Sequence, residues 1–277
     1  MRAGLGPEAC SIHTHCTFCD GRDTPEAMAR AACAAGVKYY GFSSHSHTPL
    51  PEDEGCCLPA DMSVYRETVL QLREEYARRM EILLGLELDN CADVSPAGFD
   101  YWIGSVHRLR APDGSWHTVD WDRETLLRCR EESFGGDGLA MAEAYYREVK
   151  AMAARRPPIL GHIDLITKFN DQGPLFDAAD PRYRAAALDA LAAVDPRWTL
   201  LEINTGAMAR GYRDAPYPAR FLLEAWRAMG GQIILTADAH AASGILYAYG
   251  QAAELARQAG FVQSVLLTGE GPVCCPL

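Results

Sequence analysis

Residues 234–240 read ILTADAH: an apolar run with the pattern of a β-strand ends here, and Asp238 and His240 follow it directly. Because residues two apart in an extended chain point to the same side, these two side chains can present two ligands to one centre. The same pattern, an apolar run that ends in histidine or carboxylate, recurs along the chain. This recurrence predicts both the fold and the site.

Eight apolar runs are predicted strands, and they cover residues 9–13, 38–43, 81–88, 99–106, 158–163, 199–204, 232–237 and 263–268. Helical patterns lie between them at 24–36 and 63–79, and at roughly 139–155, 182–193, 218–229 and 246–259. Thr24 suits the N-cap of the first helix, with Pro25 at its first position and Gly36 at its end. Strand–helix alternation implies a parallel sheet, open or closed into a barrel. We find no interdomain linker, so a single domain is predicted for residues 1–277.

Two segments interrupt the alternation of strands and helices. Residues 48–62 and 108–123 are rich in turn-forming residues, and each follows a predicted strand end. Long loops at that position often cover a site, and we expect both to do so.

The composition limits the possible functions. A formal net charge of −11 argues against a nucleic-acid partner. A small phosphorylated substrate stays compatible, because bound cations can reverse the sign of the field inside a pocket. No run approaches the ~20 apolar residues of a membrane span, and the first residues, MRAGLGPEAC, lack the apolar region of a secretory signal. We therefore expect no membrane partner, a cytoplasmic location, and a monomer or homodimer.

Seven of the eight histidines follow predicted strands, and only His117 does not. In a barrel of alternating strands and helices, the carboxyl ends of the strands meet on one face, where active sites lie. The polar residues at successive strand ends are His13 and His15, His45 and His47, Glu87, His107, His162 and Asp164, Asn204, and Asp238 and His240. The pattern thus predicts one large polar site.

Histidine and carboxylate together suit Zn, Mn or Fe better than Ca or Mg. The candidates are too many for one ion, so two or three ions that share bridging carboxylates are predicted. Taken singly, each residue has a simpler interpretation: a histidine can be a hydrogen-bonded structural residue, Glu87 a helix cap, and Asp20 a turn residue. The joint pattern favours a multinuclear metal site.

Residues 11–21, SIHTHCTFCDG, allow three interpretations: half a zinc knuckle, a redox dithiol, or the entry to a histidine–carboxylate site. No second C-x-x-C follows Cys16-x-x-Cys19 at the distance of a zinc finger. A redox pair would open a helix, whereas the helix cap lies later, at Thr24. The ten cysteines are scattered, unlike a disulfide framework. The third interpretation is favoured.

The ordered segments HTHCTFCDG, GFSSHSHTP, GLELD, YWIGSVH, GHIDLITKFN, LEINTGAMARGY and TADAH resemble the PHP (polymerase and histidinol phosphatase) superfamily, in its histidinol-phosphate phosphatase branch. The resemblance implies a distorted (β/α)7 TIM-like barrel with a trinuclear metal centre. It implies that the first ion is held by His13, His15, Glu87 and Asp238, the second by Glu87, His107 and His162, and the third by Asp20, His45 and His240.

The predicted activity is hydrolysis of a phosphate monoester by a hydroxide that bridges two ions. Lys168 and Arg210 are candidates to bind phosphate, and Asn204 is a further candidate substrate contact; the two cations could equally be solvated loop charges. His47 could contact phosphate or protonate the leaving alkoxide, or could be a hydrogen-bonded residue behind the site.

The resemblance points to L-histidinol phosphate as the substrate, in histidine biosynthesis. One alternative is a PHP phosphoesterase acting on another small phosphate ester or on nucleotides. Two others are a noncatalytic metal or redox sensor that uses the cysteines, and an amidohydrolase-like barrel. The last usually carries a carbamylated lysine at a strand end, which this chain lacks.

Overall fold

The computed structural model describes residues 4–277. Its strands are β1 (Cys10–Ser11), β2 (Tyr39–Phe42), β3 (Glu81–Asp89), β4 (Tyr101–Ser105), β5 (Arg108–Arg110), β6 (Trp116–Thr118), β7 (Ile159–Leu160), β8 (Leu200–Asn204), β9 (Gln232–Thr236), β10 (Gln263–Thr268) and β11 (Gly271–Pro276). Its helices are α1 (Pro25–Ala34), α2 (Ser63–Tyr76), α3 (Arg123–Phe134), α4 (Gly138–Ala154), α5 (Pro181–Ala192), α6 (Gly206–Ala209), α7 (Arg220–Ala228) and α8 (Tyr249–Gln258).

Seven strands form one parallel sheet in the order β1-β2-β3-β4-β7-β8-β9. Its two edges meet just beyond the strands, where Thr14 and Ala239 form a parallel bridge. The Ala239 amide donates to the backbone oxygen of His13 at 3.1 Å, and the His15 amide donates to that of Ala239 at 2.9 Å. These bonds nearly close the sheet, and the predicted (β/α)7 barrel is confirmed.

The eighth predicted strand, β10, lies outside this sheet. It pairs antiparallel with β11, in register from Gln263 with Pro276 to Thr268 with Gly271. The hairpin β10–β11 contributes three side chains to a buried cluster that also contains residues near the beginnings of the barrel strands. These side chains are Val265, Leu266 and Cys275. The hairpin therefore closes the amino-terminal end of the barrel and leaves the opposite end for the site.

The helices follow the predicted pattern at most positions. In α1, the hydroxyl of Thr24 accepts a hydrogen bond from the amide of Ala27 at 3.3 Å, as expected for an N-cap. Helix α2 ends at Tyr76, three residues before the predicted end, and it buries one stripe against the barrel. Within residues 4–277, no helix is long and apolar enough to cross a membrane.

The segment 108–123 is more regular than predicted. It contains the antiparallel pair β5–β6, whose three-residue strands are too short to show alternation in the sequence. Helix α3 follows it and was not predicted, because its apolar stripe consists of little more than Leu126 and Cys129. Asp122 caps this helix by accepting from the amide of Thr125 at 2.7 Å. Residues 48–62 form the other long loop, with one short 3-10 turn at Pro51–Asp53.

Candidate metal centre

All nine predicted metal ligands lie together at the carboxyl-terminal end of the barrel. They form four overlapping groups whose ligand atoms lie within 4.8 Å of one another. The groups are His15, Asp20, His45 and His240; His13, His15 and Asp238; His13, Glu87 and His162; and His45, Glu87 and His107. Among residues 4–277, no such group includes a cysteine.

Glu87 lies at the centre of the cluster, near the end of β3, and its side chain is 1% exposed. Its Oε1 is 3.0 Å from Nε2 of His162, 3.3 Å from Nε2 of His13 and 3.4 Å from Nε2 of His107. Its Oε2 is 2.9 Å from Nδ1 of His45. Burial raises the pKa of Glu87, but the surrounding histidines hold this pKa well below its usual value. This carboxylate is therefore charged, and both of its oxygens lie among the candidate ligand atoms of the histidines.

Asp20 and Asp238 border the same cluster. Oδ1 of Asp238 is 3.2 Å from Nε2 of His15, and Oδ2 of Asp20 is 3.2 Å from Nε2 of His240. The backbone of Asp238 has a φ of 47°, a left-handed conformation that is uncommon outside glycine. A Cβ on Gly206 would lie 2.7 Å from the Cβ of Asp238, so glycine is required there for the close approach.

The histidines differ in charge. Burial opposes protonation of His13, but Glu202 and Glu87 raise its pKa well above the usual value. Burial, together with His240 and His45, lowers the pKa of His15 to about 3. Neutral imidazole is the form that binds metals. The neighbours of His15 thus favour the neutral form that binds an ion, whereas the carboxylates around His13 favour its protonated form until an ion binds.

Several buried atoms of the cluster have no hydrogen-bond partner. They include Nε2 of His13, Nε2 of His15 and Oε2 of Glu87. Buried polar atoms are nearly always satisfied, and exceptions call for an explanation such as an ion. These atoms face one another across the cluster, so the donor set fits divalent metal ions.

Glu202, in β8, was missed by the sequence analysis. It is fully buried, and its Oε1 lies 2.5 Å from Nδ1 of His13 and accepts from the hydroxyl of Thr236 at 2.6 Å. Its Oε2 accepts from the amide of His162 at 2.8 Å. A carboxylate behind a ligand histidine fixes the orientation of the ring. The acid inside LEIN, two residues before Asn204, was the available signal.

Two further histidines of the cluster have partners outside the ligand groups, Asp89 at the end of β3 and Cys19 in the loop after β1. Asp89 Oδ2 lies 2.8 Å from Nδ1 of His107. The sulfur of Cys19 lies 3.4 Å from Nδ1 of His15. Cys16 is also buried, with its sulfur 3.7 Å from the hydroxyl of Ser44. The two cysteines therefore pack behind the cluster rather than within a ligand group.

A cavity of about 270 Å³ opens over the cluster, and both predicted phosphate-binding cations border it. Lys168 Nζ donates to the backbone oxygen of Asp120 at 2.7 Å and lies 3.6 Å from its carboxylate. Arg210 donates to Oδ2 of Asp238 at 3.2 Å. Arg22 also borders the cavity and was not predicted. Three cations beside a cluster of metal ligands suit a phosphate group.

The structure does not bring His47 or Asn204 to this cavity. Nδ1 of His47 lies 2.6 Å from Oδ1 of Asp93, and the residue borders a neighbouring cavity formed by residues 47–60. Asn204 is fully buried; its Nδ2 donates to Glu202 at 3.0 Å and its Oδ1 accepts from the amide of Gly206 at 2.8 Å. Asn204 thus contacts the cluster indirectly, through its hydrogen bond to Glu202.

Comparison with known proteins identifies the family. The model of the PHP domain matches residues 11–206, more than half of the chain. The chain belongs to the PHP domain family.

Relatives of this PHP domain protein carry phosphatase names. A protein of Deinococcus radiodurans named "Probable histidinol-phosphatase" is 29% identical over 268 residues, which cover 91% of this chain and 94% of the relative. The "Histidinol-phosphatase" of Bacillus subtilis is 26% identical over 260 residues, covering 86% and 95%.

A solved structure shows the same fold. It is a histidinol phosphate phosphatase from Lactococcus lactis in complex with Zn, L-histidinol and phosphate. It is 21% identical and superimposes with a TM-score of 0.67 over 95% of this chain and 98% of its own.

Replacing Glu202 with Gln is expected to weaken metal binding by this PHP domain by about 10- to 100-fold, because His13 loses the carboxylate that orients its ring. Titration of purified protein with a chelator of known affinity measures the change. Glu224→Gln, at an exposed position on α7, is the matched control and is expected to bind metal like the wild type. Equal affinities for Glu202→Gln and the wild type would contradict the role of Glu202.

Proposed function

We propose that this PHP domain protein is a histidinol-phosphate phosphatase, which hydrolyses L-histidinol phosphate to L-histidinol and phosphate. The observation that carries the proposal is that six of the nine candidate ligands border one cavity together with Lys168 and Arg210. The names of relatives that match nearly the whole chain support the choice of ester. So does the complex of the Lactococcus lactis protein with histidinol and phosphate.

We further propose that the cluster holds two or three divalent ions, Zn, Mn or Fe. His13, His15, Glu87 and Asp238 would bind the first; Glu87, His107 and His162 the second; and Asp20, His45 and His240 the third. Glu87 belongs to two of the four ligand groups, which supports a shared carboxylate. Such ions, when bound, lower the pKa of water toward neutrality and offset charge on phosphoryl oxygens.

The chain's own side chains would bind and orient the phosphate. Arg210 is held by Asp238. Although burial opposes the charge, that carboxylate and Asp120 raise the pKa of Arg210, so it stays a cation. Lys168 is 5% exposed and is held at the cavity wall by Asp120. Held in this way, the two cations lose little freedom when a phosphate binds, which favours one orientation of the ester. The role of His47 in protonating the leaving group stays a prediction.

The first test compares substrates. We expect kcat/KM for L-histidinol phosphate to exceed that for phenyl phosphate by about 100-fold or more, because a shaped site discriminates through contacts with the leaving group. Release of inorganic phosphate measures both rates in protein supplied with Zn or Mn. Equal rates would favour the alternative, a PHP phosphoesterase for another small phosphate ester or for nucleotides.

A further inference from the structure

A second cavity, of about 110 Å³, opens beside the metal centre. It shares part of its wall with the larger cavity, namely Asp20, His45, His107, Asp120 and Trp121. The loop 48–62 and the hairpin β5–β6 form most of the rest. A group bound to phosphate in the larger cavity can therefore extend into the smaller one without leaving the protein surface.

The two cavities differ in charge. The larger one is bordered by Arg22, Lys168 and Arg210. Among residues 4–277, Arg108 is the one lysine or arginine along the smaller cavity. It is already paired, because it donates to Oε1 of Glu52 at 3.1 Å and also to Asp53. Four carboxylates border the smaller cavity, those of Asp20, Asp53, Asp89 and Asp120, so they outnumber its single paired cation, whereas three cations face three carboxylates in the larger cavity. One side thus suits an anion, and the other suits a cation.

Among the carboxylates of Asp53, Asp89 and Asp120, that of Asp120 has the most lone pairs still free to accept hydrogen bonds. Asp53 accepts from the hydroxyl of Thr48 at 2.5 Å and from Arg108. Asp89 is occupied by His107, at 2.8 Å. The carboxylate of Asp120 accepts from the hydroxyl of Thr118 at 3.1 Å, and Lys168 stands 3.6 Å away. An ionised carboxylate can accept several more hydrogen bonds.

Trp121 stands at the entrance next to Asp120. It borders both cavities, yet its side chain is 64% exposed. A tryptophan ring exposed at the edge of a polar cavity offers an apolar face for a flat group and attracts cations.

We propose that the smaller cavity holds the leaving group of the phosphate ester, with Asp120 accepting a hydrogen bond from a protonated amine and the ring of Trp121 covering a planar group. This inference rests on the proposed function and deepens it. It assigns the specificity for an amino alcohol with an aromatic ring to two neighbouring residues that are in none of the ligand groups.

The test is a double-mutant cycle in which one change removes the amine from the substrate and the other replaces Asp120 in the protein. Wild type and Asp120→Asn are each assayed with L-histidinol phosphate and with the analogue in which hydrogen replaces the amine. In the wild type, removal of the amine is expected to lower kcat/KM by about 10- to 100-fold, as for loss of a charged hydrogen bond. In Asp120→Asn the same removal is expected to cost less than about threefold.

The control variant is Asp113→Asn, an aspartate in the turn of the same hairpin that accepts from Ser115 and lies away from both cavities. It is expected to discriminate like the wild type. Trp121→Ala, at a position whose side chain is 64% exposed, is expected to lower kcat/KM for both esters by about tenfold, because both carry the ring.

The outcomes separate the inference from the proposed function. If the wild type prefers histidinol phosphate to phenyl phosphate but Asp120→Asn keeps the full amine effect, the inference is wrong and the proposed function stands. The inference is equally overturned if removal of the amine costs the wild type nothing. If the wild type shows no preference over phenyl phosphate, the proposed function fails first.

Discussion

Replacing Glu87 with Gln is expected to lower kcat for phosphate release by about 10³-fold or more, the scale of losing a centre that stabilises transition-state charge. Glu87 lies within 3.4 Å of His13, His107 and His162 through one oxygen. Its other oxygen, Oε2, lies 2.9 Å from Nδ1 of His45. An amide offers one oxygen and one NH₂ group, so it cannot bridge on both sides.

The matched control for Glu87→Gln is Glu81→Gln, at the start of the same strand. Glu81 accepts from the amide of Gly269 at 3.0 Å, and an amide oxygen can still do so. Activity within about twofold of wild type is expected for this control. Circular dichroism and metal analysis on both variants separate unfolding from loss of the site. A folded Glu87→Gln enzyme that keeps both its metal and its activity would refute the central role of this carboxylate.

Removing the bound metal is expected to lower activity below about 1% of the starting value, because the ions supply the charge that phosphoryl transfer requires. Dialysis against a chelator, followed by elemental analysis and a phosphate-release assay, measures the loss. Addition of Zn, Mn or Fe is expected to restore activity as two or three ions bind per chain.

The same experiment has a readout that does not depend on turnover. A ligand that binds only the folded state raises the free energy of unfolding, so the metal-loaded protein is expected to melt at a higher temperature than the metal-free protein. Full activity in protein shown to be free of metal would contradict both the ligand cluster and the proposed function. A noncatalytic thiol sensor would instead keep its response after chelation and lose it on cysteine substitution.

The sequence predicted the barrel and the ligand cluster because both depend on one local signal, a buried strand that ends in a polar residue. Asp238 and His240 lie just beyond β9, which ends at Thr236, and both join the cluster although Asp238 has a left-handed rather than an extended backbone conformation. The nine candidates then come together for a topological reason: parallel strands of one barrel end on the same side.

Other features depend on contacts that local patterns do not encode. The direction of β10 is set by its partner β11, and an apolar run looks alike in parallel and antiparallel pairs. The spacing from His45 predicts His47 in the site. Both histidines lie beyond β2, which ends at Phe42, so the loop decides their positions: His45 joins the ligand groups, whereas His47 contacts Asp93. The pattern of polar residues at strand ends does not indicate Glu202, because Glu202 lies inside β8 and contacts His13 and the amide of His162 rather than the cavity.

The division of labour between strand ends and loops has a consequence for evolution and engineering. Most of the candidate metal ligands stand at or just beyond the ends of the barrel strands, whereas Asp120 and Trp121 stand on the connection between β6 and α3. Changes in that connection leave the barrel's hydrogen bonds untouched. New substrate ranges can therefore arise by exchanging a short surface segment, while the inherited chemistry is kept. A library randomised at Asp120 and Trp121 is therefore a small one in which to search for variants with new substrate ranges.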